Sequence, residues 1–415
     1  MSKRRVVVTG LGAVTPIGNT VPEYWQNLID GRNGIDYITK FDTEKFDVKF
    51  AGEVKNLPAS DYLNPKEIRR MDNFTVYALV SAHQAFIDSG LVLESTDQDR
   101  IGVVYGSGIG GIRTLEQQNE AYLAERNPRI LSPFFVTMMI ADIAAGQISI
   151  RYGLRGPNYS TTSACATSAH SIADAFMLIQ RGNADIMFCG GAEASITELS
   201  IGGFSSMRAL SNWNDRPREA SRPFDKDRSG FVMGEGGATL VLEELEHAKA
   251  RGAKIYCELA GVGLTADAHH ITAPDPDGRG AVRSMQEAIK DAGMQPEDLD
   301  YINAHGTSTQ LNDVTETKAI KTVFGDHAYK LTVSSVKSMT GHLLGAAGAI
   351  ESVATVLSVQ NDIIPPTINL DNPDPLCDLD YSAKKPTKRK VRAALKNTFG
   401  FGGHNASLLF KKYEA

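Results

Sequence analysis

Three short segments carry residues whose types and spacing could do chemistry. Cys165 lies in Ser-Ala-Cys-Ala-Thr-Ser-Ala-His, His305 opens His-Gly-Thr-Ser-Thr, and His342 lies in Thr-Gly-His-Leu-Leu-Gly-Ala-Ala-Gly-Ala-Ile-Glu. One thiol and two imidazoles form a kit for acyl chemistry. The small residues around each let a bulky substrate approach the backbone. Cys165 is expected where Asn158-Tyr-Ser-Thr-Thr-Ser turns into a helix starting near Ala166. Unpaired N–H groups and the helix dipole would lower the thiol pKa there. The competing reading is a buried, inert cysteine. His305 follows the apolar Tyr-Ile-Asn-Ala at a strand end, where active-site loops belong in parallel sheets. His342 is expected at the start of a second small-residue helix. Lys337 and Glu351 flank it; paired near an imidazole they would fix its tautomer, and paired at the surface they would contribute little.

Near the C-terminus, Asn397-Thr-Phe-Gly-Phe-Gly-Gly-His-Asn places Phe399 and Phe401 in a glycine-punctuated loop. It reads either as a tight turn or as a mobile gate with an aromatic plug and N–H groups for an oxyanion. Lys66, Arg69 and Arg70 stand at i, i+3 and i+4 and would share one face of a helix. With Arg126, Arg129 and Arg208 they form either a solvated surface or a docking patch for an acidic partner. The other cysteines, Cys189, Cys257 and Cys377, show neither CxxC spacing nor neighbouring histidine pairs, which argues against zinc and disulfide frameworks. Cys189 and Cys257 lie in apolar runs and read as core residues.

The elements that must position these groups are legible as alternating apolar strands and helices. Strands are expected over 6–8, 101–105, 186–189, 238–242, 255–259 and 332–334, and helices over 74–90, 165–181, 280–292 and 345–358. Such alternation predicts an α/β fold with mainly parallel pairing. The glycines after the first strand do not complete GxGxxG, because Thr15 stands at the third position. The chain also echoes itself. Val-Val-Val-Thr-Gly-Leu-Gly-Ala near the start matches Cys-Glu-Leu-Ala-Gly-Val-Gly-Leu at Cys257, and the Cys165 segment matches the His342 segment in character. The order of elements implies two similar halves, 1–250 with the thiol and 251–415 with both imidazoles.

The 415 residues are 42% hydrophobic, enough for a large core, and the net charge of −6 gives no reason to expect nucleic acid. The basic start, Met-Ser-Lys-Arg-Arg, precedes an apolar stretch too short for a signal peptide, and no apolar run reaches the roughly 20 residues that span a bilayer. A cytoplasmic protein without membrane insertion is expected.

Thr-Thr-Ser-Ala-Cys-Ala-Thr, Asn-Ala-His-Gly-Thr-Ser-Thr, Ser-Val-Lys-Ser-Met-Thr-Gly-His and Asn-Thr-Phe-Gly-Phe-Gly-Gly together resemble the signature set of the β-ketoacyl-acyl carrier protein synthases. Pro223-Phe-Asp-Lys-Asp-Arg-Ser-Gly-Phe-Val-Met-Gly-Glu-Gly belongs to the same set. The likeness runs from Arg4 to Phe410 and is strongest to the elongating members of bacterial type II fatty acid synthesis. It implies the thiolase fold, two βαβαβαββ halves in a five-layer αβαβα sandwich, and a homodimer. It implies condensation of acyl-carrier protein with malonyl-carrier protein, without redox or metal cofactor. The family's Cys-His-His triad carries onto Cys165, His305 and His342, its supporting pair onto Lys337 and Glu351, and its oxyanion N–H groups onto Cys165 and Phe401. Thr307 and Thr309 match positions at the phosphopantetheine arm. Ile109 matches one at the acyl pocket, with Phe204 near it, and Phe134 or Phe135 would line the other subunit's pocket. Relatives often hold a structural monovalent cation near Asn303 and Glu351. His404 departs from the threonine common there. A coenzyme A thiolase is disfavoured because the usual second cysteine is absent from the C-terminal glycine motif. A polyketide ketosynthase shares the triad, and a silent heterodimer partner would lack it.

Overall fold

The first apolar run forms β1 (Val6–Val14), and every residue of it is buried. A strand without polar alternation is covered on both faces. With β2 (Ile101–Gly106), β3 (Asn158–Tyr159), β4 (Ile186–Glu193) and β5 (Gly236–Glu244) it runs in the order β1-β5-β4-β2-β3. A second set, β6 (Cys257–Ala266), β7 (Tyr301–Asn303), β8 (Thr332–Ser334), β9 (Ala393–Gly400) and β10 (His404–Lys411), repeats it as β6-β10-β9-β7-β8. In both sets the three outer strands are parallel and the other pairings antiparallel. The sets meet where Val6–Val8 pairs with Cys257–Leu259, so both five-stranded sheets join in one ten-stranded ladder. The computed structural model describes residues 3–414; Met1 and Ser2 of the basic start lie outside them. Among the described residues no helix is long and apolar enough to cross a membrane.

Six helices complete two βαβαβαββ repeats: α1 (Asn73–Ser89), α2 (Ile143–Tyr152), α3 (Thr167–Gln180), then α4 (Arg279–Asp291), α5 (Gln310–Phe324) and α6 (Ala347–Asn361). In the outer layers, α1 packs on β1 and α4 on β6. The glycines of the apparent nucleotide motif set these contacts. A Cβ at Gly10 or Gly12 would lie 2.4 Å from the Ala85 carbonyl or 1.9 Å from that of Ser81, both on α1. At Gly261 and Gly263 it would lie 2.3 Å from the Ala288 carbonyl and 1.9 Å from that of Ser284, both on α4. The echo between the two segments is therefore a repeated close approach of helix to strand.

The central layer is α3 and α6, which pack on each other and on strands of the sheet. Apolar and small residues surround α6, and it is buried from Ala347 to Val359. A Cβ at Gly348 would lie 2.6 Å from the Ala169 nitrogen, and the Ala349 N–H donates to Ser168 Oγ over 2.9 Å. Each central helix is preceded by a 3-10 turn, Ala164–Ala166 and Leu344–Ala346, entered through a left-handed residue: φ is +50° at Ala164 and +47° at Leu344. This register pairs Cys165 with Gly345. Residue character alone sets Cys165 opposite His342, three residues too early, because both stretches are rich in small residues. Cys165 thus sits in the 3-10 turn, with the helix beginning at Thr167, and His342 precedes its helix by a full turn.

Gly348→Ala should destabilise the fold by about 1–3 kcal/mol, the usual cost of overpacking, as read from urea unfolding. Gly146→Ala in α2, with nothing within 4 Å of its Cβ position, should be neutral or stabilising. Equal stability of both variants would contradict the tight helix crossing.

Candidate active site

The crossing of α3 and α6 brings their leading turns together. His342 Nε2 lies 3.0 Å from Cys165 Sγ. The ligating atoms of Cys165, His305 and His342 all fall within 4.8 Å of one another, and all three residues are buried. The imidazole rings meet edge to face at 5.4 Å. His342 is fixed by its backbone: its N–H donates to Val232 over 2.7 Å, and its carbonyl accepts from Gly234 over 2.8 Å. Phe231 packs edge-on against its ring at 5.3 Å. The Phe-Val-Met-Gly segment thereby clamps the histidine turn. His305 follows β7, where Glu316 of α5 accepts the N–H groups of His305 and Gly306, each over 2.8 Å.

Lys337 and Glu351 form a buried pair, Nζ to Oε1 2.5 Å, and not a surface salt bridge. Lys337 also donates to the His305 carbonyl over 2.6 Å and approaches its Nδ1 at 3.5 Å. An ammonium cannot accept, so this contact favours the tautomer with the proton on Nε2, the nitrogen left for the site. Sequence reasoning missed Lys396 of β9, which is fully buried and lies 2.7 Å from Glu351 Oε2. Its signal was a lone charge in an apolar strand run beside the glycine loop. Glu193 was also missed. It accepts from Gly108 over 2.9 Å and Gly345 over 3.0 Å, tying the loop after β2 to the turn of α6.

Dryness reverses one expectation. Burial pushes the Cys165 thiol up to about 11, against the opposing pull of the Lys337 charge and the Phe401 N–H. A tenfold change in acidity is about 1.4 kcal/mol, so desolvation here outweighs the ~0.3–1 kcal/mol a helix terminus offers an anion. Burial, assisted by the charges of Lys337 and Lys396, holds both imidazoles well below their ordinary range. The resting triad is a neutral thiol beside two neutral imidazoles.

The glycine loop closes over the sulfur. A Cβ at Gly400 would lie 3.0 Å from the Ser163 carbonyl and 3.2 Å from the Cys165 nitrogen. The backbone N–H groups of Phe401 and Cys165 both bear on the thiol. A cavity of about 430 Å³ leads to the triad, lined in part by Phe204, Thr307, Thr309, Phe399, Phe401 and Arg208. The Thr307 and Thr309 hydroxyls are 2.9 Å apart. Ile109 is outside this lining and 40% exposed. The basic segment also differs from expectation: its helix is the single turn Pro65–Ile68, capped at Arg69, because Asn64 and Pro65 start it immediately before. Lys66, Arg69, Arg70, Arg126, Arg129 and Arg208 are all exposed, and the Arg70 guanidinium lies 4.7 Å over the Phe134 ring.

The model of the beta-ketoacyl synthase N-terminal domain matches residues 3–248, and that of the C-terminal domain matches 256–371. The chain belongs to the beta-ketoacyl synthase family. It is 56% identical over 414 residues to 3-oxoacyl-[acyl-carrier-protein] synthase 2 of Synechocystis sp., covering 100% of this chain and 99% of that one. The synthase of the same name from Staphylococcus aureus (strain COL) is 53% identical over 412 residues, covering 99% of both. Among solved structures, a beta-ketoacyl synthase from Burkholderia phymatum superposes with a TM-score of 0.92 at 35% identity, covering 99% of this chain and 100% of that one. A type II polyketide ketosynthase, solved with its acyl-carrier protein and a hexaketide, gives 0.92 at 34% identity over 100% of both chains. These likenesses establish the thiolase-type fold of the family.

Alkylation of Cys165 by iodoacetamide should quicken with pH from 7 to 10, about tenfold per unit, as the thiol with its raised pKa ionises. A rate already flat above pH 7 would contradict the neutral resting pair.

Proposed function

We propose that this beta-ketoacyl synthase condenses acyl-acyl carrier protein with malonyl-acyl carrier protein to give the 3-oxoacyl product and carbon dioxide, as an elongating enzyme of fatty acid synthesis. The observation that carries the reading is the 3.0 Å contact of His342 with the Cys165 sulfur, beside His305 and below an open cavity. In the first half-reaction the Cys165 sulfur attacks the acyl thioester carbon, the bond from that carbon to the carrier sulfur breaks, and the proton lost by Cys165 goes to the carrier, which leaves as its thiol. The N–H groups of Cys165 and Phe401 hold the oxyanion; loss of one such donor typically costs ~3 kcal/mol. In the second, the malonyl carboxylate leaves as carbon dioxide, and its electron pair forms the enolate. Neutral His305 and His342 donate through Nε2 to the thioester oxygen. The enolate carbon then attacks acyl-Cys165, the C–S bond breaks, and the sulfur leaves as a thiolate that takes up one proton from water.

Lys337 and Glu351 support His305, and Thr307 and Thr309 contact the phosphopantetheine arm along the cavity. Phe204 and the gate residues Phe399 and Phe401 shape the acyl channel. The reading divides the chain into 1–250, which carries the nucleophile, and 251–415, which carries the imidazoles. Lys66, Arg69, Arg70, Arg126, Arg129 and Arg208 form the docking surface for the acidic carrier protein, and the enzyme works as a cytoplasmic homodimer. The synthases at 53–56% identity favour fatty acid elongation over the polyketide reading, whose ketosynthase relative stands at 34%.

Cys165→Gln should abolish condensation yet still release carbon dioxide from malonyl-carrier protein, because the imidazoles remain. His305→Ala should lower that decarboxylation about 10²–10³-fold while leaving transfer of the acyl chain to Cys165 measurable. Loss of both activities in Cys165→Gln, with the fold intact, would contradict this division of labour.

A further inference from the structure

Lys396 is a fully buried charge that the condensation above does not use. It lies in β9, four residues before Gly400 of the gate loop. Its ammonium lies 2.7 Å from Glu351 Oε2 and 2.9 Å from Thr398 Oγ1, and it also donates to the Asn397 carbonyl. Asn303 is its register partner on β7, and among the described residues the buried Asn303 Oδ1 has no hydrogen-bond partner. A carboxylate, a carbonyl and a hydroxyl oxygen thus gather around the Lys396 ammonium. Oxygen donors of this kind are what a hard cation takes. The titratable groups around the point are Glu351 of α6, Lys337 on its other oxygen, Glu316 of α5 and the two neutral imidazoles. One carboxylate already lies between two ammonium groups, so the monovalent ion implied by the resemblance does not fit here.

We propose that Lys396 is a tethered cation that stands in for a bound monovalent ion and is a positioning residue for His305. It anchors Glu351 from one side. Glu351 in turn holds Lys337, which donates to the His305 carbonyl over 2.6 Å. The chain of contacts runs from the gate strand to the imidazole that steadies the enolate. Burial pushes the ammonium down to about 8, and Glu351 holds it up against that, so it stays charged at pH 7.

The inference rests on the proposed condensation. Its test compares the full-length chain with Lys396→Ala and Lys396→Met in choline chloride, with sodium, potassium or ammonium chloride added at constant ionic strength. Two rates are read: acylation of Cys165 by acyl-carrier protein, and condensation with malonyl-carrier protein. The unaltered protein should condense equally in all four salts. Lys396→Ala should condense about 10–100-fold more slowly in choline, as is typical when a supporting residue is lost. Its acylation rate should stay within about twofold, and potassium or ammonium should restore condensation. Lys396→Met fills the space without a charge, so it should stay folded, slow and unresponsive to salt. Stimulation of the unaltered protein by potassium, normal condensation by Lys396→Ala in choline, or equal loss of both rates would overturn the assignment. Failure of the unaltered protein to condense would instead refute the proposed function.

Discussion

The close crossing of α3 and α6 is the constraint on which the site depends. Only small side chains at Ala169 and Gly348 let the backbones come this near. Because the contact falls at the leading ends of both helices, the turns before them are forced together. One turn carries the thiol and the other the imidazole, 3.0 Å apart. Strands of both halves pack on the two central helices, so the pairing of two similar halves places the nucleophile and its partner.

Burial of this junction sets its electrostatics. A dry thiol resists ionisation, and dry imidazoles resist protonation. Both effects leave the three groups uncharged, which suits a site that must donate hydrogen bonds to a developing enolate. Charge is kept one layer below, where Lys337 and Lys396 flank the Glu351 carboxylate, and where Glu316 and Glu193 take backbone N–H groups. Breaking a buried pair by removing one partner commonly costs ~3–5 kcal/mol, so this layer is rigid support for the groups above it.

Much of this was legible in the residues. The apolar strands, the two small-residue helices and the weak echo around Gly10 and Gly261 all reflect local patterns that the fold repeats. The triad stood out because thiol and imidazole chemistry is written in side-chain type. Other features depend on tertiary packing. The raised thiol pKa follows from how completely the gate loop and α6 cover Cys165, which no local segment shows. Lys396 sits in a strand where alternation would send a lysine outward; only its neighbours across the sheet reveal a buried ion pair. The short basic helix and the register of the two central turns were misjudged for a similar reason. Repeated small or charged residues fit several registers until caps and left-handed residues fix one.

The account requires one sulfur to carry the growing chain. Intact-protein mass spectrometry after mixing with acyl-carrier protein, followed by peptide mapping, tests this directly. The account predicts a single added acyl group per chain, located on the peptide containing Cys165 and absent from Cys165→Ala. An acyl group on any other residue, or none, would contradict it.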